Sequence, residues 1–301
     1  MLERAADTIP PDGRGDKIRG MNAGHPILEV KAISPALGAE ISGLDISRPL
    51  DDQAVAEIRA ALLEHLVIFF RDQRLTPESL IAFARRFGEL ARYPFVKGMD
   101  GYPDVVEVIK REDEQHNFGG IWHSDTTYLE RPPMGSVLYA CEIPPVGGDT
   151  LFANMYLAYE ALSDGMKVFL DGLKAVNSAA KPDAAVGRIE RKAERPTGED
   201  EIKTVAVHPI VRTHPETGRK ALYVNRGHTV KIDGFSEEES KPILEFLYTH
   251  QTRPEFTCRF RWTPGAVAFW DNRAAQHNAI NDYQGYRRVM QRVTLAGEKP
   301  E

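Results

Sequence analysis

Residues 256–295 read FTCRFRWTPGAVAFWDNRAAQHNAINDYQGYRRVMQRVTL. This stretch contains three short runs rich in aromatic and β-branched residues, at Phe256–Trp262, Ala266–Trp270 and Arg288–Leu295. Pro, Gly, Asn and Asp lie between the runs, and these residues favour turns between strands. The stretch therefore predicts a succession of short β-strands.

The same pattern occurs upstream, where it alternates with a few helical signals. Further strands are predicted at Leu66–Phe70, Asp104–Ile109, Ser136–Cys141, Thr150–Asn154, Thr204–Arg212 and Lys220–Asn225. Helices are predicted at Asp52–Leu66, after Thr76-Pro77 and after the capping box of Ser236 and Glu239. Many short strands, few helices and no glycine-rich nucleotide loop predict a mainly β fold with flanking helices, a sandwich or jelly roll.

Composition excludes several classes of protein. The chain has 301 residues, 42% of them hydrophobic and 27% charged, which fits neither a membrane protein nor a disordered one. A net charge of −6 argues against a general nucleic-acid binder. Two cysteines, Cys141 and Cys258, cannot build a disulfide framework or a thiolate zinc site. We therefore expect a cytoplasmic protein without nucleic-acid or membrane partners. We also expect the protein to form a homo-oligomer.

One domain is expected for most of the chain. Residues 1–24 carry Pro, Gly and mixed charge without an apolar core, which predicts a mobile tail rather than a secretory signal. No linker or repeat interrupts residues 25–301, which we predict to form a single domain. The charged segment 181–202 is either a lid over the site or a solvated loop.

Two His-x-acid pairs are candidates for metal binding. On a strand, His123 and Asp125 would point to the same face and could bind one ion. The second pair, His214 and Glu216, precedes a polar turn between two strand-like runs. We interpret that second pair as an exposed hairpin tip.

A third ligand and an anion site are suggested by the carboxy-terminal stretch. His277 follows an apolar strand and would complete a two-histidine, one-carboxylate set with open positions, although a satisfied surface histidine is the alternative. Arg288 and Arg292 would share one face of a strand. They suit a dicarboxylate cosubstrate, although a cross-strand salt-bridge ladder remains open.

Four motifs in order carry a resemblance to a known family. They are Trp122–Tyr128, Gly147–Thr150, Trp270–Arg273 with Gln276-His277, and Asn281–Tyr283 followed by Arg287–Met290. Together they resemble the taurine dioxygenase and phenoxyacetate dioxygenase family of Fe(II)- and 2-oxoglutarate-dependent oxygenases. The resemblance implies a double-stranded β-helix, with Fe(2+) as cofactor and 2-oxoglutarate and O2 as cosubstrates.

The resemblance also implies roles for individual residues. His123, Asp125 and His277 match the iron ligands, while Thr150 and Arg288 match contacts to 2-oxoglutarate. The family implies that the cosubstrate is converted to succinate and CO2 as the substrate is hydroxylated, with cleavage where the product is unstable. A non-oxidative metal-dependent hydrolase or isomerase and a silent binding module stay open as alternatives.

The positions expected to touch substrate differ from the taurine enzyme. Arg292 matches an arginine that meets an anionic substrate group. The stretch Tyr93–Val96 stands where that enzyme has a histidine and a tyrosine, Gly119 stands in place of an asparagine and His228 in place of a phenylalanine. Taurine itself is therefore not expected. Tyr93 and His228 are candidate substrate contacts, or packed side chains. We expect a small anionic organic substrate, an organic carboxylate first and an alkyl sulfate ester or sulfonate second.

Overall fold

The computed structural model describes residues 28–181 and 204–301. The predicted tail at 1–24 and all of segment 181–202 except Lys181 lie outside these residues, so the tail and lid predictions stay predictions, as does the single domain over 25–301. In the described part, no helix is long and apolar enough to cross a bilayer.

Strands dominate the described residues, as the sequence predicts. The helices are α1 (Asp52–His65), α2 (Pro77–Arg85), α3 (Met155–Glu160), α4 (Asp164–Leu170) and α5 (Glu237–Gln251). The strands are β1 (Glu29–Ala32), β2 (Ala39–Ser42), β3 (Val67–Phe70), β4 (Leu90–Ala91), β5 (Val106–Lys110), β6 (Gly135–Glu142), β7 (Thr150–Asn154), β8 (Lys174–Ser178), β9 (Val205–Pro209), β10 (Val211–Thr213), β11 (Lys220–Leu222), β12 (Thr229–Ile232), β13 (Thr257–Phe260), β14 (Val267–Asp271), β15 (Ala275–Ala279) and β16 (Arg288–Leu295).

Two sheets pack face to face around the main core. The larger sheet has the order β1-β2-β3-β14-β6-β16-β4, with β5 also paired to β16, and the smaller sheet is β13-β7-β15. Phe69 on β3 stacks on Phe260 of β13 with 3.8 Å between ring centroids, and it meets Phe152 of β7 edge-on at 5.7 Å. The jelly-roll prediction is confirmed.

The outer face of the larger sheet is covered by α1 and α2. Because side chains alternate along a strand, Ile68 and Phe70 point away from the smaller sheet and pack with Ile58 of α1 and Phe83 of α2. Burying each such side chain contributes roughly 1.5–3 kcal/mol. The helix starts follow the predicted caps, since the Thr76 side chain accepts a hydrogen bond from the Ser79 amide.

The pair His214 and Glu216 lies in the predicted hairpin, between the paired strands β10 and β11, but the interpretation of His214 as exposed is wrong. The turn between β10 and β11 is exposed at Glu216, but the His214 side chain is fully buried. Its Nδ1 accepts hydrogen bonds from the amides of Glu216 and Thr217, and its Nε2 lies 3.0 Å from Asp271 Oδ2. A buried carboxylate distant in sequence therefore binds the imidazole, which local turn propensity cannot reveal.

Candidate metal and cosubstrate site

The two histidines of the predicted triad are joined by backbone hydrogen bonds. His277 lies on β15, whereas His123 forms an isolated bridge to it instead of lying in a strand. Each backbone amide donates to the other residue's carbonyl oxygen, at 3.0 and 2.9 Å. Asp125 begins a turn, so the predicted strand through His123 and Asp125 does not form. The Asp125 side chain nevertheless lies beside the two histidines.

The three side chains form a cluster suited to a metal ion. One ligand atom from each of His123, Asp125 and His277 lies within 4.8 Å of the others, and all three residues are buried. Asp125 Oδ1 is 3.7 Å from His123 Nε2 and 3.9 Å from His277 Nε2. His123 Nδ1 lies 2.7 Å from the Ile121 carbonyl oxygen, which directs its Nε2 lone pair to the cluster. Two imidazoles and one carboxylate fit Fe(II).

The electrostatics of the cluster favour a deprotonated ligand set. Burial alone would raise the pKa of Asp125, but Arg292 and the two histidines hold that pKa well below its usual range. Burial, and then the neighbouring His123, lower the pKa of His277 to about 3. A neutral imidazole and an ionised carboxylate are the forms that bind metals.

A cavity beside the cluster carries polar groups suited to a dicarboxylate. Thr150, Arg288 and Arg292 line it together with the two histidines. Arg288 is 4% exposed, and among the described residues its Nε and Nη2 have no hydrogen-bond partner. Burial lowers the pKa of Arg288, and Tyr283 opposes this. The Thr150 hydroxyl accepts a bond from Trp262 Nε1 at 3.0 Å and keeps its own proton to donate.

Arg292 lies between the cluster and three aromatic side chains, Tyr93, Phe95 and Phe118, which we call the aromatic wall. Its Nη1 is 3.3 Å from Asp125 Oδ1. Its guanidinium carbon lies 4.9 Å from the Tyr93 ring centroid and 5.9 Å from that of Phe118. Tyr93 also meets Phe95 edge-on, with 5.9 Å between the centroids. The structure thus brings together side chains that the sequence could not place around one volume.

His228 and Gly119 also lie at the cluster. The His228 ring is 5.8 Å from that of His123 and 4.9 Å from that of Tyr128, and its Nδ1 lies 3.2 Å from the Thr127 hydroxyl. Gly119 has a φ of +78°, and a Cβ there would lie 3.2 Å from His123 Cε1. Both the backbone conformation and the nearby His123 ring therefore disfavour a side chain at position 119.

Sequence reasoning missed two residues that contact Asp125. The Ser136 hydroxyl donates to Asp125 Oδ2 at 3.1 Å, and the Asn272 side chain bonds to the backbone of Asp125. Asn272 belongs to the Trp270–Arg273 motif, but nothing local to that motif indicates its partner. Ser136 lies inside a predicted strand and carried no signal at all.

Comparisons with known proteins identify relatives of the chain. Residues 29–294 match the model of the family "Taurine catabolism dioxygenase TauD, TfdA family". The chain is 39% identical over 285 residues to an alpha-ketoglutarate-dependent sulfate ester dioxygenase from Pseudomonas putida, covering 91% of each chain. It is 32% identical over 281 residues to an (S)-phenoxypropionate/alpha-ketoglutarate-dioxygenase from Sphingobium herbicidovorans, covering 91% of this chain and 96% of that enzyme.

A solved structure extends the likeness to three dimensions. The crystal structure of a taurine dioxygenase from Burkholderia xenovorans matches with a TM-score of 0.77 and 41% identity, covering 91% of each chain. The chain belongs to the TauD, TfdA family. It is an Fe(II)- and 2-oxoglutarate-dependent dioxygenase that uses O2. This decides against the hydrolase, isomerase and silent-module alternatives.

Proposed function

We propose that this member of the TauD, TfdA family hydroxylates a small organic anion beside an iron held by His123, Asp125 and His277. The buried pair Arg288 and Arg292 carries the proposal. The two residues lie on one face of β16, both are at most 5% exposed, and both line the cavity that contains the two histidines. Asp125 already lies beside Arg292, whereas the buried Arg288 guanidinium has unpartnered nitrogens and calls for an anion to offset the cost of its burial.

Arg288 and Thr150 bind 2-oxoglutarate in this proposal. The unpartnered Nε and Nη2 of Arg288 match the fork that holds a carboxylate through two bonds. Thr150 adds a hydroxyl donor at the same cavity. The keto-acid end of the cosubstrate would then face the metal ligands, because the cavity runs between the arginine and the histidines.

Arg292 binds the anionic group of the substrate, and the aromatic wall binds its apolar body. Tyr93 and Phe118 hold the guanidinium of Arg292 against their rings, which fixes its direction. Tyr93 and His228 contact the substrate near the reacting carbon. Gly119 leaves space beside His123 that a larger residue would fill.

The bound iron would activate O2, while the protein positions the substrate and 2-oxoglutarate and excludes water from the site. In the overall reaction, R–H, O2 and 2-oxoglutarate give R–OH, succinate and CO2. Where the hydroxylated carbon bears a sulfate ester oxygen, the product collapses to an aldehyde and hydrogensulfate, which breaks the C–O bond.

Two classes of anion are candidates. An organic carboxylate agrees with the phenoxypropionate enzyme, and an alkyl sulfate ester agrees with the Pseudomonas putida enzyme, each a relative of the chain. A guanidinium donates hydrogen bonds to two oxygens of either group. The test is O2 consumption and succinate release by purified protein with Fe(II), ascorbate and 2-oxoglutarate over a panel of carboxylates, sulfate esters and sulfonates. Substrate-stimulated succinate is expected, and no stimulation across the panel would contradict the proposal.

We also propose that the enzyme acts in the cytoplasm as a homo-oligomer. Free Cys141 and Cys258 support a reducing compartment, and burial raises the pKa of their thiols to about 11 and about 12, which keeps them protonated. Fractionation of the source cells tests the location, and light scattering on the purified chain tests the assembly. A monomer across the working concentration range would contradict the second part.

A further inference from the structure

We infer that Ser136 directs a single oxygen of the Asp125 carboxylate to the metal and so keeps a coordination position open. This inference rests on the ligand set of the proposed function. Ser136 is a positioning residue, because it contacts a ligand side chain and lies behind it. Its hydroxyl bonds to Oδ2, while Oδ1 is the oxygen nearest to both histidine Nε2 atoms.

The position of Ser136 is set by the larger sheet. Ser136 lies on β6 between β14 and β16, opposite Trp270 on one side and Thr294 on the other. Its side chain is fully buried, so solvent cannot replace the bond to Asp125. A buried hydroxyl on a central strand has little freedom to move, so Oδ2 keeps a fixed donor.

The backbone of Asp125 is also fixed, by Asn272. The Asn272 side-chain oxygen accepts from the Asp125 amide at 2.6 Å, and its Nδ2 donates to the Asp125 carbonyl at 3.2 Å. The same Nδ2 donates to the Pro133 carbonyl at 3.1 Å. The next residue, Thr126, has a φ of +44°, a conformation that is costly without such support.

The remaining contact of the carboxylate does not compete with Ser136. Arg292 Nη1 is 3.3 Å from Oδ1, the oxygen that faces the histidines, and not from Oδ2. Oδ1 can accept this bond and still offer electrons to an ion, since a carboxylate oxygen has two lone pairs. Asp125 is therefore held through its backbone, through Oδ1 and through Oδ2, each by a different residue.

The consequence concerns the number of open positions on the ion. Two histidines and one carboxylate oxygen leave about half of an octahedral site open, which a chelating cosubstrate and O2 together require. If Oδ2 lost its donor, the carboxylate could turn and chelate the ion through both oxygens. Chelation would remove a position that the cosubstrate or O2 needs.

The test is Ser136→Ala in the full chain, with Mn(II) as the probe metal. Water-proton relaxation counts the exchangeable waters on bound Mn(II), and the variant is expected to lose about one water per ion. Its affinity for 2-oxoglutarate in the Mn(II) form is expected to fall about tenfold or more. Ser240→Ala is the matched control, because that buried hydroxyl bonds to Ile232 and Ser236 outside the site. The control is expected to keep the parent's water number.

The outcomes separate this inference from the proposed function. A Ser136→Ala variant with parental water number and 2-oxoglutarate affinity would overturn the role of Ser136. Asp125→Ala is measured in parallel, and unchanged Mn(II) affinity there would instead overturn the ligand set. If Ser136→Ala does not fold, Ser136→Cys serves in its place, because a thiol is a weak donor of similar size. Parental values for Ser136→Cys would then count against the inference.

Discussion

His123 and His277 donate their backbone amides to each other's carbonyl oxygens, in a bridge that joins a turn to strand β15. The bridge holds the two imidazole centroids 4.2 Å apart. Two proposed metal ligands from distant parts of the chain are thus placed by main-chain bonds. A site held in this way loses little conformational entropy when an ion enters.

His123→Ala is expected to abolish tight metal binding and turnover together. The variant keeps the backbone bridge but loses one of three ligands, and a two-ligand site binds divalent ions weakly. Calorimetric titration with Mn(II) and succinate release are the measurements. His65→Ala, at the partly exposed end of α1, is the control and should behave as the parent. Retained turnover in His123→Ala would show that the ligand is misassigned.

Arg288→Met is expected to lose 2-oxoglutarate binding while the metal-free protein keeps or gains thermal stability. The buried guanidinium has unpartnered nitrogens, so the fold bears a desolvation cost that a similar-sized apolar side chain removes. Losing a bidentate carboxylate partner costs about 2–5 kcal/mol of binding, or about thirtyfold and more. Thermal unfolding of the metal-free chain checks the expected stability, and titration with 2-oxoglutarate checks the expected loss of binding. A large fall in the Tm of Arg288→Met would contradict the expectation of kept or increased stability.

Arg292→Gln is expected to raise the KM of the anionic substrate about tenfold to a hundredfold, with 2-oxoglutarate affinity nearly unchanged. The reason is that the Arg292 guanidinium lies beside Tyr93 and Phe118, the rings that we propose bind the substrate. Arg288 instead has its unpartnered Nε and Nη2 in the cavity that Thr150 lines. Steady-state kinetics with each substrate varied in turn provide the measurement. If the KM for 2-oxoglutarate rises instead, the roles of the two arginines are exchanged.

His228→Phe is expected to change the order of preferred substrates without changing metal affinity. The ring lies between Tyr128 and His123, so a phenylalanine keeps the packing and removes only the polar nitrogens. The ratio of kcat/KM for two substrates that differ in a polar group near the reacting carbon is the readout. An unchanged ratio would mean that His228 packs and does not contact substrate.

Asp271→Asn is expected to destabilise the fold by about 3 kcal/mol at neutral pH, because it leaves Arg273 and His214 beside a neutral amide. Burial would raise the pKa of Asp271, but Arg273 and His214 hold it well below the ordinary 3.8. A lowered pKa stabilises the fold above about pH 4, and this contribution is lost as pH falls through the depressed folded-state pKa.

Urea unfolding of the parent and the Asp271→Asn variant between pH 7 and pH 3 checks this sign, since the difference between them should shrink on acidification. Asp171→Asn is the control, because Asp171 forms an exposed ion pair with Lys220 and should change stability very little. A difference that grows toward low pH would contradict the assignment.

Much of the fold was accessible from local patterns. The start of α2 at Pro77 follows from Thr76 and the proline, and β16 has its predicted bounds, Arg288–Leu295. Thr204–Arg212 was predicted as one strand but divides at Ile210 into β9 and β10. The two parts join different sheets, β9 with β8 and β10 with β11. Strand partners are long-range properties, so apolar patterning alone cannot locate such a break.

Residue types and motif order in the sequence are enough to indicate the family and its dioxygenase chemistry. They also single out two histidines, an aspartate, a threonine and two arginines as candidate site residues. Residue types and their spacing are local, and they decide what a site can bind. The packing of the fold sets which groups orient Asp125, namely Ser136 and Asn272. It also buries His214 against Asp271, outside the candidate site. Local patterns cannot predict these contacts, because a hydrogen bond needs a distance of about 3 Å and remote residues come that close only when the two sheets pack.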